Sequence, residues 1–278
     1  MTTRPPIDGG PGEAAARPAA AERSLLRSVA VPSEHGGWGL TVEPVVLGLL
    51  VRPGVAGAAL GVAAVLAFLA RTPLKLALVD RRRHRRLERT RLAERVAVAE
   101  IVPLVALVVF AAARSHPSFW IPLAAAAPLV AVQLWFDMAS RSRRLLPELA
   151  GSIGIGAVAA SIVLAGGGSG RLAMGTWAIL GARAVASIPF VRLQITRFRH
   201  HPASVEADDW SQTAAVCLAS GAVLLDRRLV LGAFAVVALC IFHGAAARRP
   251  VPRPKIIGFQ QLFLGLALTL LTALGTHL

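Results

Sequence analysis

The chain has 278 residues, of which 55% are hydrophobic and only 16% charged, and its mean hydropathy is +0.62. Soluble domains carry about 25% charged residues, so this composition excludes an ordinary soluble globular domain. The net charge of +15 would suit nucleic-acid binding only on one face of a soluble fold. Here the cations separate hydrophobic stretches, so we expect the lipid bilayer, and no nucleic acid, as the partner.

The first 30 residues are rich in Ala, Pro, Gly and Arg and contain no apolar stretch. A secretory signal peptide requires such a stretch after its charges, and a segment of this composition cannot bury enough apolar surface to fold. We therefore predict a disordered cytoplasmic tail over residues 1–30 and a transmembrane helical domain over residues 31–278.

Apolar runs of about 15–20 residues follow along the rest of the chain, close to the length that crosses the hydrocarbon core of a bilayer as a helix. Only helices and closed barrels satisfy backbone hydrogen bonds in lipid, and these runs are uniformly apolar rather than alternating. The sequence therefore predicts an all-α, polytopic transmembrane helix bundle. Its nine predicted spans are 34–51, 54–70, 96–113, 118–137, 147–165, 172–191, 211–225, 229–247 and 256–275.

Lys and Arg side chains are divided unevenly between the segments that join these spans. If the tail is cytoplasmic, the inside segments hold 24 of them and the outside segments hold 5, while Arg183 alone lies within a span. Cytoplasmic loops of membrane proteins carry such an excess of cations. We therefore predict a multi-pass protein of the cell membrane, with the N-terminus cytoplasmic and the C-terminus outside.

The first span opens with a distinctive segment, PSEHGGWG at residues 32–39. An acidic first turn would favour a helix start at Glu34, but it does not account for His35, Trp38 or the deeper Glu43. Because an imidazole ionises near neutral pH, His35 is the candidate proton carrier. The candidate catalytic residues are His35, Glu34 and Glu43.

Charged residues inside the spans are the strongest functional indication in a membrane sequence. Glu43, Glu100 and Arg183 are the three, and all are expected in the cytoplasmic half. An unpaired Arg near the middle of a bilayer costs at least about 2.5–3.5 kcal/mol. We therefore predict that Arg183 forms an ion pair with Glu43 or Glu100.

Further polar residues recur at helical intervals near the cytoplasmic ends of spans two, four and six. Arg71 and Lys75 are four residues apart, as are Gln133 and Asp137, so each pair shares one helix face. A polar stripe on span six is predicted to continue past Pro189. The predicted ligand-binding residues are Trp38, Arg71, Lys75, Arg183, Arg192, Gln194 and Arg197.

Loops 71–95 and 192–210 are expected to meet over a cytoplasm-facing pocket lined by these residues, with His35 and Trp38 on its wall. His200 and His201 are adjacent and point to different sides of a helix, so we assign no metal site. The cofactor stays unknown.

The segment at residues 32–39 resembles the start of YwiC-like bacterial membrane proteins, in which the motif is approximately P-x-E/Q-H-G-x-W. The patterns Arg71-x-Pro73-x-Lys75 and PFVR at residues 189–192 are similar to later polar positions of that family. The resemblance covers residues 30–275. It implies a polytopic membrane protein and no established reaction.

Nine helices with long cytoplasmic loops after spans two and six are also similar to the arrangement of UbiA-type prenyltransferases. In those enzymes, Asp-rich motifs at the two loops hold Mg²⁺ on a prenyl diphosphate. This sequence departs from that pattern, with Asp80 among arginines and with Arg192, Gln194 and Arg197 at the end of span six. The departure argues against ordinary Mg²⁺-dependent prenyl transfer, although Arg and Lys bind a diphosphate directly.

We therefore expect a membrane protein of uncharacterised activity that binds an anionic amphiphile or isoprenoid in a cytoplasm-facing pocket. The alternatives are a prenyltransferase-like enzyme without the usual Asp-rich motifs, a transporter, and an accessory membrane subunit. A transporter requires polar residues leading to the outside face. We expect no such route, because the charged residues of the spans cluster on one side.

Overall fold

The computed structural model describes residues 35–84, 87–139 and 141–278, with side chains from residue 39 onward. The predicted tail over residues 1–30 and the candidate Glu34 lie outside these ranges. Within them the chain forms nine α-helices. They are α1 His35–Val51, α2 Val55–Arg82, α3 Glu88–Arg114, α4 Trp120–Met138, α5 Leu145–Ala165, α6 Gly170–Phe198, α7 Val205–Leu225, α8 Val230–Ala247 and α9 Pro254–Gly275.

Seven of these helices are long and apolar enough to cross a membrane, namely α2 to α6, α8 and α9. In α1 the apolar part is the shorter segment Gly39–Val51. Helix α7 is less apolar because its first two turns carry Glu206, Asp208, Asp209 and Gln212. The chain is therefore an all-α helical membrane protein, and each predicted span corresponds to one of the nine helices.

The two long loops predicted at the cytoplasmic side are largely helical. Helix α2 continues to Arg82 and α3 begins at Glu88, whereas the prediction placed a loop over residues 71–95. Likewise α6 continues to Phe198 and α7 begins at Val205, within the predicted loop 192–210. Those boundaries were wrong because hydropathy marks only the apolar part of a helix, while Arg, Lys and Glu propagate helix almost as well as Leu.

The turn between α2 and α3 is organised by Asp80, the acidic residue that stands among arginines in the sequence. Its buried carboxylate accepts hydrogen bonds from Thr90 Oγ1 at 2.7 Å and from Arg89 Nη2 at 3.1 Å. These bonds join the last turns of α2 to the first turn of α3. Asp80 therefore holds this hairpin together.

Helices α5 and α6 form the centre of the bundle and are surrounded by most of the others. Small residues let the helices approach closely, because a Cβ atom added at Gly48 of α1 or Gly57 of α2 would lie within 3.0 Å of Ile162 on α5. In lipid, such close packing of small residues is a principal source of helix association. Helix α3 packs mainly on α2 and exposes Val98, Val102, Val105 and Val109.

Contacts between helix ends show that successive helices run in opposite directions. Three ion pairs join helix ends at one side, which we call the basic end: Arg71–Asp137, Arg192–Glu148 and Arg248–Asp209. At the opposite end, the Leu50 carbonyl in the last turn of α1 meets His277 after α9 at 2.8 Å. There too, Gly166 after α5 lies against Arg52 after α1. This alternation is the one that nine successive membrane crossings require.

Candidate functional site

The most deeply buried ion pair described joins α1 to α6. Arg183 Nη2 donates to Glu43 Oε1 at 2.7 Å, and the two side chains are only 5% and 8% exposed. The same Nη2 donates to the carbonyl of Gln261 on α9 at 3.0 Å. The predicted pairing of Arg183 with Glu43 is thus confirmed. Because both charges are removed from water, neither is tolerated here without the other.

Glycine at position 265 makes room for this pair on the facing side of α9. A Cβ atom there would lie 2.1 Å from Glu43 Oε1 and 2.2 Å from Arg183 Nη2. Glu43 Oε1 and Arg183 Nη2 cannot move away from such a Cβ atom without breaking the hydrogen bond between them. The space that Gly265 leaves is therefore a requirement of the ion pair.

His243 of α8 lies next to this pair and is fully buried. Its ring stacks on Phe190 of α6, with 4.0 Å between ring centroids and 12° between planes. Its Nε2 atom lies 2.9 Å from the side-chain Nε2 of Gln261, and the backbone carbonyl of Gln261 accepts a hydrogen bond from Arg183. The imidazole is therefore linked to the ion pair through one residue of α9.

A second set of buried polar side chains lies in the first turns of α7, near the basic end. Gln212 Nε2 donates to Asp208 Oδ1 at 3.1 Å and to the Ala186 carbonyl of α6 at 2.9 Å. Asp208 is 2% exposed, although it lies in the first turn of its helix. Eight buried side-chain atoms on α6 to α9 make no hydrogen bond within the described protein. They are Arg183 Nε, Ser187 Oγ, Gln194 Oε1, Asp208 Oδ2, Gln212 Oε1, His243 Nδ1, Gln261 Oε1 and Thr269 Oγ1.

The polar stripe predicted on span six lies on one face of α6, which runs past Pro189 without a break. Most of this face is buried against α8. Gln194 Nε2 donates to the Ala246 carbonyl at 3.2 Å, and Arg197 donates to the carbonyls of Ala247 and Arg249. These two residues hold the end of α8 in the structure.

Arg71 and Lys75 converge on one carboxylate between α2 and α4. Arg71 Nε donates to Asp137 Oδ2 at 2.9 Å, and Lys75 Nζ lies 3.6 Å from Asp137 Oδ1. Lys75 also donates to Ser142 Oγ at 3.1 Å. The carboxylate is 2% exposed, whereas the two cations are 24% and 34% exposed. We name this group the α2–α4 cluster.

The cations predicted to line one pocket are divided between different partners. Arg71 and Lys75 share Asp137, Arg183 binds Glu43, Arg197 binds the end of α8, and Arg192 Nη1 binds Glu148 at 2.9 Å. Two surface cavities of about 390 and 470 Å³ lie elsewhere, the first lined by residues such as Phe242 and Phe259, the second by Arg91 and Glu94. Each of these cations therefore has a partner within the protein, and their convergence on a single pocket stays a prediction.

The side chains of His35 and Trp38 lie outside the described part of the structure, although both residues belong to α1. Glu100 of α3, the other predicted partner of Arg183, is partly buried, and its Oε2 atom makes no hydrogen bond. Among the described residues, no group of three or more His, Cys, Asp or Glu side chains is arranged to hold a metal ion.

The chain was next compared with known proteins. The model of a family described as YwiC-like protein matches residues 31–163. This part of the chain is similar to that family. It spans α1 to most of α5, and it contains Glu43 and the α2–α4 cluster, whereas Arg183 and His243 follow it. No curated protein and no solved structure matches the chain, so the UbiA-like arrangement stays a prediction.

Sequence reasoning missed His243, Asp208, Gln212 and Gln261. His243 had a usable signal, since an ionisable residue inside an apolar run indicates a functional site, and histidines were not counted among the charged residues of the spans. Asp208 had none, because a carboxylate in the first turn of a helix is ordinary. Its burial depends on how α7 packs on α6.

Proposed function

We propose that the protein binds the anionic head group of a membrane amphiphile at the α2–α4 cluster. The observation that carries the proposal is that two partly exposed cations share one buried carboxylate. The three side chains Arg71, Lys75 and Asp137 together carry one more positive than negative charge. A phosphate or carboxylate head group would accept hydrogen bonds from Arg71 and Lys75, and its apolar chain would lie along α2 and α4 in the bilayer.

In this proposal Asp137 is the internal counter-ion that holds the two cations when the site is empty. Arg presents a planar fork that suits phosphate oxygens, and Lys adds a flexible point charge. An isoprenoid diphosphate belongs to the class of ligand that such a pair recognises. The proposal concerns binding, and it requires no reaction at the candidate residues His35, Glu34 and Glu43.

The test is the affinity of the purified protein in a non-ionic detergent for dodecyl phosphate, with zwitterionic dodecylphosphocholine as the comparison probe. Replacing both Arg71 and Lys75 by Gln should abolish the preference for dodecyl phosphate. Asp137→Asn should raise the affinity for dodecyl phosphate, because it releases both cations from their internal partner. Isothermal titration calorimetry measures both effects.

The matched control replaces the exposed Arg253 and Lys255 by Gln, which removes the same two charges at the start of α9. Its affinity should equal that of the wild type. Unchanged or weaker binding by Asp137→Asn would count against the proposal, since a misfolded variant cannot gain affinity and a purely structural ion pair predicts no gain.

We also propose that the basic end is cytoplasmic, because the cation bias of the connecting segments favours this orientation. With Cys217 and Cys240 replaced by Ala, a cysteine at Gly170 should react with an impermeant thiol reagent added to intact cells. A Cβ atom at Gly170 would meet no other atom within 4 Å, so the fold should tolerate it. A cysteine at the exposed Arg141 should react only after permeabilisation, and the reverse pattern would invert the topology.

A further inference from the structure

A chain of buried polar groups leads from the basic end into the bundle. It begins at Asp208, passes to Gln212 at 3.1 Å, and reaches the Ala186 carbonyl at 2.9 Å. That carbonyl also faces His243. The chain continues through Gln261 to the pair of Arg183 and Glu43.

The polar chain continues along α9 to the opposite end. Gln261, Gly265, Thr269, Thr272 and Thr276 fall within one face of a helix by their spacing. Thr269 and Thr272 are 0% exposed, and Thr269 Oγ1 makes no hydrogen bond. The segment from Gln261 to Thr276 extends roughly 22 Å along the axis. This stripe supports a polar route to the opposite end, which was not expected from the sequence.

The unpartnered atoms along the chain indicate internal hydration. Buried polar atoms without a protein partner are commonly satisfied by internal water, which typically makes about three hydrogen bonds. The hydrogen-bonded atoms of this chain lie 2.7–3.1 Å apart, so a solute larger than water would have to break these bonds in order to pass. A proton can pass without breaking the packing, because it moves by exchange of hydrogen bonds.

We propose that this polar chain conducts protons across the membrane, with His243 as the central relay. A proton entering at Asp208 forms an O–H bond, and its transfer to the imidazole breaks that bond and forms an N–H bond. Transfer onward to Glu43 breaks the N–H bond and forms an O–H bond, and release along the threonines of α9 restores the carboxylate. Internal water bridges the steps, and the proton is the only species that crosses.

Charged groups from each neighbouring helix face this relay. Arg183 approaches His243 from α6, and Asp208 of α7 lies close to Cys240, which is one turn before His243 on α8. Glu43 of α1 lies behind Arg183, and α9 contributes the uncharged Gln261. The paired guanidinium therefore stands between His243 and Glu43 as a fixed positive charge, and internal water carries the proton past it. It would favour passage of protons one at a time and oppose the passage of metal cations.

The test uses the purified full-length protein in phosphatidylcholine liposomes that contain potassium and the pH dye pyranine. Valinomycin then sets an interior-negative potential, which draws protons inward. Wild-type liposomes should acidify faster than protein-free liposomes. His243→Gln and Asp208→Asn should each reduce the rate to that of protein-free liposomes, because each removes a group that accepts a proton.

The matched control is Asp209→Asn, the same change one residue further along α7, where the carboxylate is 42% exposed and bound to Arg248. It should keep the wild-type rate.

Asp208→Asn preserves the side-chain volume and the bond from Gln212, so the result does not depend on whether His243→Gln folds. Wild-type liposomes no faster than protein-free ones, or either variant at the wild-type rate, would overturn the proposal. Replacing Arg71 and Lys75 by Gln should not change the proton flux. The proposal of proton conduction can therefore be contradicted while that of amphiphile binding stands, and the reverse.

Discussion

Replacement of Arg183 by Met should lower the free energy of unfolding by about 3–5 kcal/mol. The change leaves Glu43 as an uncompensated charge in a nearly water-free interior, and it also removes the donor to the Gln261 carbonyl. The additional replacement Glu43→Leu should recover most of this loss, because a buried ion pair exchanged for apolar side chains of similar volume is often neutral. Denaturation in mixed detergent micelles measures both variants against the wild type.

Arg192→Met is the control on the same helix. Its partner Glu148 is 35% exposed and Arg192 is 40% exposed, so solvent screens the pair and its loss should cost at most about 1 kcal/mol. Equal losses in the free energy of unfolding from Arg183→Met and Arg192→Met would show that burial of the Arg183 pair does not increase its effect on stability. Failure of the double variant to recover any stability would contradict the pairing itself.

Gly265→Ala should be the most damaging single methyl group that can be added to α9. The new Cβ atom would lie 2.1 Å from Glu43 Oε1 and 2.2 Å from Arg183 Nη2, so the ion pair must open or α9 must move away. Overpacking alone costs about 1–3 kcal/mol, and separation of the buried charges adds to this. The melting temperature and folded yield in detergent should both fall.

The comparison is Gly258→Ala on the same helix, where an added Cβ atom would meet no other atom within 4 Å. Ala favours helix over Gly by about 1 kcal/mol, so this variant should be neutral or slightly more stable. The loss from Gly265→Ala should shrink when Glu43 is also replaced by Ala, because one of the two colliding atoms is then removed. If the stability losses of Gly265→Ala and Glu43→Ala simply add, the damage caused by Gly265→Ala does not act through the ion pair.

The sequence alone was sufficient to predict the helix class, the number of helices and a buried acidic partner for Arg183, Glu43 or Glu100, since each follows from a local rule. Apolar length predicts a membrane helix, and a buried Arg requires a buried acid. The acidic partners of the other cations could not be predicted from the sequence. Asp137 was recognised as a polar residue at the end of span four, but its approach to Arg71 depends on how α4 packs beside α2.

The polar chain on α6 to α9 was missed for a related physical reason. Gln, Thr and a single His change the hydropathy of an apolar run very little, so each of these helices reads as an ordinary membrane span. These side chains form a connected polar group only when the polar faces of the four helices pack against one another. The helix boundaries failed differently, because the end of the apolar zone was taken as the end of the helix.

Helix α3 has a different relation to the bundle from that of the other helices. It packs mainly on α2 and is joined to it by the Asp80 turn, and a row of valines on its surface lacks a protein neighbour. Its outer face is therefore exposed to the surrounding lipid along much of the helix. Bilayer thickness and composition should act on this hairpin first, so α2 can transmit a change in the membrane to the Arg71 guanidinium that it carries.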